Sequence, residues 1–228
     1  CIKIQCMSAV ILPETFQFLE LLKNNNNREW FNDNKNLYLQ AHENVIEFVD
    51  EIIEKLSEID KEVGKLNAKK ALFRIYRDTR FGHNKDPYKT NFGASLGIKG
   101  SGKSGYYIHI EPGKSFIGGG IYHPESPILK KIRQDISVYS NEFKTIIENP
   151  NFKKNFGKLS EEEKLVKVPN GFDKEHPMAD FLKLKNFVAL QNLQDSDLTK
   201  KNAVKEIVEV LKYIQPLNQF INTAIEEN

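Results

Sequence analysis

Basic side chains are concentrated in residues 69–91, KKALFRIYRDTRFGHNKDPYKTN. Seven Lys or Arg residues against two Asp give this window a net charge of +5, whereas the whole chain of 228 residues carries +2, so the remainder sums to −3. Three of these residues are arginines, whose planar fork of N–H donors matches a carboxylate or a phosphate. The segment therefore predicts a binding site for an anionic group.

The spacing of the arginines indicates how such a site could be built. If residues 72–80 are extended, alternate side chains face opposite sides of the strand. Phe73 and Ile75 then face the core, with Arg77 at the end of their row. The opposite face carries Arg74, Tyr76, Asp78 and Arg80. This arrangement predicts an anion pocket with its own carboxylate, and in a helix Arg74, Arg77 and Asp78 would still cluster.

The hypothesis assigns a role to each of these residue types without specifying a reaction, so it leaves open whether the protein is an enzyme. The ligand is a small molecule that bears phosphate or carboxylate. Asp78 and His109 are the candidate acid–base groups. Ligand contacts are expected from Arg74, Arg77, Arg80, Lys85, Tyr88 and Tyr107. We expect no cofactor and no metal, with His109, His123 or His176 beside acids as the minor metal alternative.

Two other interpretations of the basic segment remain open. The stretch Glu43–Glu62 holds eight acidic residues and two lysines, a net charge of −6, so the arginines could form a buried ion-pair network with it. Such a protein would have a structural or interaction role. Alternatively, the patch could bind nucleic acid, with Tyr76, Phe81 and Tyr88 as stacking residues. That interpretation ranks last, because Asp78 and Asp86 interrupt the patch.

Three sequence motifs in the middle of the chain are rejected on their context. Gly97–Ser104 matches the phosphate-loop pattern and Gly100–Gly105 matches G-x-G-x-x-G, but both need a helix directly afterwards. The residues that follow, GYYIHIEP, alternate like a strand. Gly93–Gly97 matches G-x-S-x-G, the pattern around a hydrolase serine nucleophile, but its serine lies inside a predicted strand. Asp173 and His176 follow in the chain order of a catalytic triad, and order alone is weak evidence.

Hydrophobic periodicity predicts the elements that position these residues. Pro13 begins a first helix, and Asn27 caps an amphipathic helix of about 30 residues. Helical spacing returns from Glu125 to Ile147 and from Val204 to Ala224, with an interruption at Pro216. Strands are predicted at 72–76, 92–98, 106–111, 115–122 and 187–190. These elements predict a single α+β domain, with a central, mostly antiparallel sheet and helices from both chain ends packed on it.

A tight hairpin is expected around Pro112-Gly113. A two-residue turn there pairs His109 with Phe116 and Tyr107 with Gly118. Gly118 and Gly120 then leave space beside Tyr107 and His109, or they permit a close approach of backbone.

The N-terminal residues predict little chemistry. Cys1 and Cys6 both precede Met7, so we expect 1–6 to be extraneous, 1–12 to be an extension and 13–228 to form one domain. The apolar stretch Ala9–Leu12 is too short for a signal sequence or a membrane span, which predicts a cytoplasmic protein without a membrane partner. The oligomeric state is left open.

The ordered motif in the basic segment resembles a known family. Arg74-x-x-Arg77-Asp78-x-Arg80-Phe81-x-x-Asn84-Lys85-x-x-Tyr88 is similar to the defining motif of the bacterial family called domain of unknown function 2461. Further matches follow in order at Asn26–Phe31, Gly105-Tyr106-Tyr107, Gly120-x-Tyr122-x-Pro124, Pro169-x-Gly171 and His176-Pro177. The resemblance covers nearly the whole chain from Phe16. It implies a soluble bacterial protein of one domain, and it implies no established activity.

Overall fold

The computed structural model describes residues 8–80, 84–97 and 102–227. This part of the chain forms an α+β domain with a four-stranded antiparallel sheet, and helices from both chain ends contact the sheet. The strands are β1 (Phe92–Leu96), β2 (Gly105–Ile110), β3 (Phe116–Ile121) and β4 (Phe187–Asn192), and they follow one another in that order across the sheet. The helices are α1 (Pro13–Asn24), α2 (Arg28–Asp33), α3 (Lys35–Leu56), α4 (Ala68–Ala71), α5 (Ser126–Val138), α6 (Ser140–Glu148), α7 (Pro150–Phe156), α8 (Ala179–Leu182), α9 (Asp195–Thr199), α10 (Ala203–Leu211) and α11 (Gln215–Glu227). The predicted fold class is confirmed.

The first of two compact units comprises the described residues up to Leu96, together with Tyr107–Phe116 and Asn192–Glu209. Its core is aromatic, and the rings of Phe18, Phe48 and Phe92 are almost fully buried. Asn44 of α3 ties the segment before α1 to this core. Its side chain accepts from Leu12 N at 2.9 Å and donates to Val10 O at 2.8 Å, so a buried amide is satisfied.

The second unit comprises Gly97–Tyr106, Ile117–Gln191 and the described residues from Val210 onward. In it, Gly118 and Gly120 of β3 lie against the backbone of β4. A Cβ built on Gly118 would lie 2.2 Å from Ala189 O, and one on Gly120 would lie 1.9 Å from Phe187 O. At these glycines the structure therefore has a close approach of the β4 backbone and not the expected open space.

Two predicted elements differ from the structure. The predicted helix of about 30 residues is two helices, α2 and α3, because Asn34 ends α2 and its side chain donates to Trp30 O at 2.9 Å. The predicted strand 72–76 is not a strand, and it makes only isolated bridges at Leu72 and Tyr76. The N-cap at Asn27 is confirmed, since its side chain accepts from Trp30 N at 2.9 Å.

No helix in the described ranges is both long and apolar enough to cross a membrane.

Candidate functional site

The basic segment runs antiparallel to residues 87–94. Leu72 bridges Ala94 and Tyr76 bridges Tyr88. Leu72 and Tyr76 are therefore four positions apart in the chain, whereas their partners, residues 94 and 88, are six positions apart. The two additional residues prevent a continuous ladder. Hence strict alternation fails here: Ile75 is buried as predicted, but Phe73, which was expected in the core, is 42% exposed.

The bridge between Tyr76 and Tyr88 sets which side chains near it face the helices. Bridged partners share a face, and Phe31 of α2 stacks on Tyr88 with ring centroids 4.0 Å apart, so both tyrosines face the helices. Their successors in the chain, Arg77 and Lys89, project to the opposite face. Within the predicted row, Asp78 binds Arg80 and lies in range of the charge of Arg74, while Tyr76 packs toward Phe31.

Lys89 lies beside Phe73 and within range of the charges of Arg74 and Arg77. Lys89 Nζ lies 5.4 Å from the centre of the Phe73 ring. Burial lowers the pKa of Lys89, and the nearby charges of Arg74 and Arg77 lower it further. We call Arg74, Arg77 and Lys89 the cation cluster. Within the described ranges, the side chains of Arg74 and Arg77 form no hydrogen bond or ion pair.

Asp78 is engaged by its own neighbour. Arg80 donates to both carboxylate oxygens, with Nε 3.0 Å from Oδ1 and Nη2 2.7 Å from Oδ2. These hydrogen bonds hold the pKa of Asp78 below its ordinary value, and the charge of Arg74 adds to the effect. A carboxylate with a lowered pKa is a weaker general base at neutral pH, so this geometry does not favour the predicted acid–base role of Asp78.

The remaining predicted ligand contacts of the basic segment serve the local fold. Lys85 Nζ donates to Thr79 O at 2.9 Å, on the surface. Tyr88 is only 3% exposed, within the aromatic core around Phe31. Of the three predicted stacking residues for nucleic acid, Tyr76 is 52% exposed, Tyr88 is buried, and Phe81 lies outside the described residues. One exposed ring is a weak platform for single-stranded nucleic acid.

The arginines of the basic segment are too exposed to form a buried ion-pair network. The Arg80 side chain is 76% exposed, Arg74 is exposed and Arg77 is half-buried. On the acidic helix α3, Glu51 pairs with Lys55 at 3.6 Å and accepts from Ser8 Oγ at 2.8 Å.

The second group of predicted residues lies on β2. Tyr107 and His109 are half-buried and alternate with the buried Tyr106, Ile108 and Ile110. The hairpin turn is confirmed, because Lys114 N donates to Glu111 O at 2.9 Å around Pro112-Gly113. The rings of His109 and Phe116 stack with centroids 4.5 Å apart, as the predicted pairing requires.

His109 is held on both sides by hydrogen bonds. Its Nε2 lies 3.0 Å from Glu111 Oε2, and its Nδ1 lies 3.3 Å from Tyr107 Oη and 3.4 Å from Asn91 Nδ2. A carboxylate only accepts, and an amide nitrogen only donates. These partners therefore assign the proton of the neutral ring to Nε2 and leave Nδ1 as an acceptor for the Tyr107 hydroxyl.

Gly93 of β1 brings Tyr107 to the cation cluster. A Cβ built on Gly93 would lie 2.5 Å from Tyr107 Oη and 3.3 Å from Phe73 Cδ2. The Tyr107 hydroxyl thus lies over the glycine, and its ring is 6.2 Å from that of Phe73. Since Lys89 Nζ lies over Phe73, the cluster and the Tyr107–His109–Glu111 chain share one neighbour. Burial raises the pKa of Tyr107.

Several residues of this site were missed from the sequence. Lys89 lay in the basic window but was not separated from the other lysines. Glu111 could have been found, because it continues the alternate row of Tyr107 and His109. Asn91 and Gly93 carried no such signal, since their roles depend on a neighbouring strand.

The rejected motifs have the context that the sequence predicted. The residues after the phosphate-loop match form β2 and not a helix, while positions 98–101 of that match lie outside the described residues. Ser95 lies within β1. His176 Nε2 lies 3.3 Å from Ser137 Oγ. In the described part of the chain, no group of three or more His, Cys, Asp or Glu residues is arranged to hold a metal ion.

The fold and this geometry define the protein as an α+β domain with a cation cluster beside a tyrosine–histidine–carboxylate chain on its sheet. A family model described as a conserved hypothetical protein (DUF2461) matches residues 14–220, and the chain belongs to this family. The resemblance found in the sequence is thereby confirmed. No curated protein and no solved structure matches the chain.

Proposed function

We propose that the protein binds a small anion, a phosphate- or carboxylate-bearing molecule, at the cation cluster of Arg74, Arg77 and Lys89. The proposal is supported by the partly buried Lys89, whose pKa the charges of Arg74 and Arg77 lower, and by the lack of any ion pair between these two arginines and a described residue. Like charges held close together repel, and a bound anion relieves that repulsion.

The chemistry of the three side chains supports an oxyanion as the ligand. Two guanidinium groups can each present parallel N–H donors to two oxygens of a phosphate or carboxylate. Lys89 adds a compact charge whose partial burial reduces competition from water. Asp78 directs its carboxylate hydrogen bonds to Arg80, although it also lies in range of the charge of Arg74.

Sulfate is a suitable probe for the test, because its charge is constant between pH 5 and 8, whereas that of phosphate is not. Isothermal titration calorimetry of the full chain is expected to show saturable sulfate binding. Arg77→Ala is expected to weaken it by about tenfold or more, since a charge-assisted hydrogen bond is worth about 1.5–3 kcal/mol. Arg77→Lys is expected to recover only part of the loss, because lysine lacks the planar fork.

Lys205→Ala is the matched control, since it removes one exposed positive charge from α10. Equal effects of Arg77→Ala and Lys205→Ala, or no sulfate binding by the wild-type protein at millimolar concentration, would overturn the proposal. Circular dichroism and thermal unfolding of each variant separate a lost site from a lost fold.

A further inference from the structure

We propose that Tyr107, His109 and Glu111 form a proton relay that makes the anion site a catalytic site for the hydrolysis of phosphate monoesters. This inference rests on the proposed function, because the cation cluster supplies the binding of the phosphate group. It adds a reaction class, a general base and two positioning residues.

The hydrogen bonds of the chain have one consistent direction. Glu111 Oε2 accepts from His109 Nε2 at 3.0 Å, which leaves Nδ1 to accept from the Tyr107 hydroxyl at 3.3 Å. Asn91 Nδ2 also points at Nδ1, from 3.4 Å, and favours the same form of the ring. The side chains of His109 and Glu111 are only 15% and 21% exposed, so water competes weakly for these bonds.

The end of this chain and Lys89 have Phe73 as a common neighbour. Tyr107 packs against Phe73, and Lys89 Nζ lies over the same ring at 5.4 Å. The Tyr107 hydroxyl lies over Gly93, where any side chain would collide with it. Tyr107 is therefore the relay residue that meets a phosphate group held by Arg74, Arg77 and Lys89, and His109 and Glu111 act through it.

The proton transfers balance as follows. A water molecule gives one proton to Tyr107 Oη as its oxygen forms a bond to phosphorus, and the hydroxyl proton of Tyr107 moves to His109 Nδ1. Glu111 stabilises the resulting imidazolium through Nε2–H. The bond between phosphorus and the ester oxygen breaks, and that oxygen leaves with the electron pair. The leaving oxygen, on the far side of phosphorus, takes a proton from solvent, and His109 releases its extra proton to solvent through Tyr107, so the products are an alcohol and hydrogen phosphate.

The charged groups that face His109 favour the cationic intermediate. Glu111 contacts the ring directly, and Lys114 Nζ reaches only the other carboxylate oxygen, Oε1, at 4.0 Å. Tyr107 and Asn91 are neutral, and Phe116 covers one face of the ring. Lys89, whose Nζ lies over Phe73, acts on the phosphate in this proposal.

The test measures hydrolysis of p-nitrophenyl phosphate and binding of sulfate in the same set of proteins. The wild type is expected to release p-nitrophenol, and Tyr107→Phe and His109→Gln are each expected to lower kcat by about 100-fold or more, the usual range for a general base. Sulfate affinity of Tyr107→Phe is expected to stay within about twofold, since the cation cluster is intact.

Glu111→Gln separates a positioning role from a structural one. Gln keeps a hydrogen-bond acceptor for Nε2–H but loses the negative charge, so the acid limb of the pH–rate profile is expected to move to lower pH. A purely structural residue would lower the rate at every pH without moving the limb.

The outcomes distinguish the two proposals. If sulfate binds in an Arg77-dependent manner but the wild type hydrolyses the ester no faster than Tyr107→Phe, the relay is wrong and the anion site stands. If sulfate does not bind, both proposals are wrong. An unmoved pH–rate profile in Glu111→Gln overturns the role of Glu111 alone. Tyr107→Phe retains the ring that packs on Phe73, so loss of fold does not explain its result.

Discussion

At the scale of single residues, the position of Tyr107 depends on the residue that lies beneath its hydroxyl. Gly93 is the smallest residue of the candidate site, and it determines where the Tyr107 hydroxyl lies. The absence of a side chain at this position lets Tyr107 lie across β1, next to Phe73 and within reach of His109 Nδ1. A glycine inside a strand is unfavourable by itself, so its presence here reflects this close approach.

Gly93→Ala tests that contact. The added Cβ would lie 2.5 Å from Tyr107 Oη, so the hydroxyl must leave its position, and we expect a cost of about 1–3 kcal/mol in the free energy of unfolding, measured by urea denaturation. In a Tyr107→Phe background the cost is expected to fall, because the colliding oxygen is gone.

Gly97→Ala is the matched control at the end of the same strand. The nearest atom to its added Cβ is 3.4 Å away, an ordinary contact, and its expected effect is small. If Gly93→Ala costs no more than Gly97→Ala, or costs the same with and without the Tyr107 hydroxyl, the described contact does not position Tyr107.

At the scale of elements, the four consecutive asparagines Asn24–Asn27 have different structural roles. Asn24 is the last residue of α1, and Asn25 donates from its side chain to Leu21 O at 2.9 Å. Asn27 caps α2. Asn26 instead binds the backbone of Tyr88 as a neighbouring strand would. Its side-chain amide donates to Tyr88 O at 3.0 Å and accepts from Tyr88 N at 3.1 Å. Thereby it fixes residue 88, next to Lys89 of the cation cluster.

Asn26→Ala is expected to lower the free energy of unfolding by about 1–3 kcal/mol, because it leaves two partly buried backbone groups without partners. Amide hydrogen exchange at Tyr88 is expected to accelerate in parallel. Asn25→Ala, which removes one exposed hydrogen bond, is the control and is expected to stay within about 0.5 kcal/mol. Equal effects of the two substitutions would show that Asn26 does not hold the Tyr88 backbone.

At the scale of the whole molecule, paired carboxylates make the fold sensitive to acid. Among the described residues, hydrogen bonds from Lys or Arg hold the pKa values of Asp78, Glu161, Asp180 and Asp197 below their ordinary range. Glu161 is the strongest case, since Lys158 and Lys164 lower its pKa to about 2. A group with a lowered pKa in the folded state stabilises the fold above its ordinary pKa and loses that effect as the pH falls.

Glu161→Gln is therefore expected to lower Tm at neutral pH and to have no effect near pH 2. The difference disappears between pH 4.5, the ordinary value for Glu161, and about 2. The effect is small and decreases in 1 M salt, because the Glu161 side chain is 43% exposed. Glu148→Gln serves as the control, since Glu148 is exposed on α6 and forms no ion pair with another described residue. A pH-independent difference for Glu161→Gln would contradict this account.

Much of the architecture follows from local patterns. The helical spacing of α1, α5 and α6, the alternation in β2 and β3, and the turn at Pro112-Gly113 each depend on residues close in sequence. The break between α2 and α3 at Asn34 was not foreseen, because the apolar spacing continues through it while a side-chain hydrogen bond ends the helix. The predicted strand 72–76 does not form for a different reason: its two bridged residues are four positions apart, whereas their partners are six positions apart.

The sequence by itself determined the α+β class, the family, the concentration of positive charge in residues 69–91 and the row of Tyr107 and His109. All of these depend on residue identity and short-range period. Only the tertiary structure decided that Lys89 lies beside the arginine segment, because the bridge of Tyr76 to Tyr88 pairs the two segments. It also decided that Gly93 and Asn91 belong to the site. Strand register depends on hydrogen bonds between distant residues, and a shift of one residue turns every side chain to the other face.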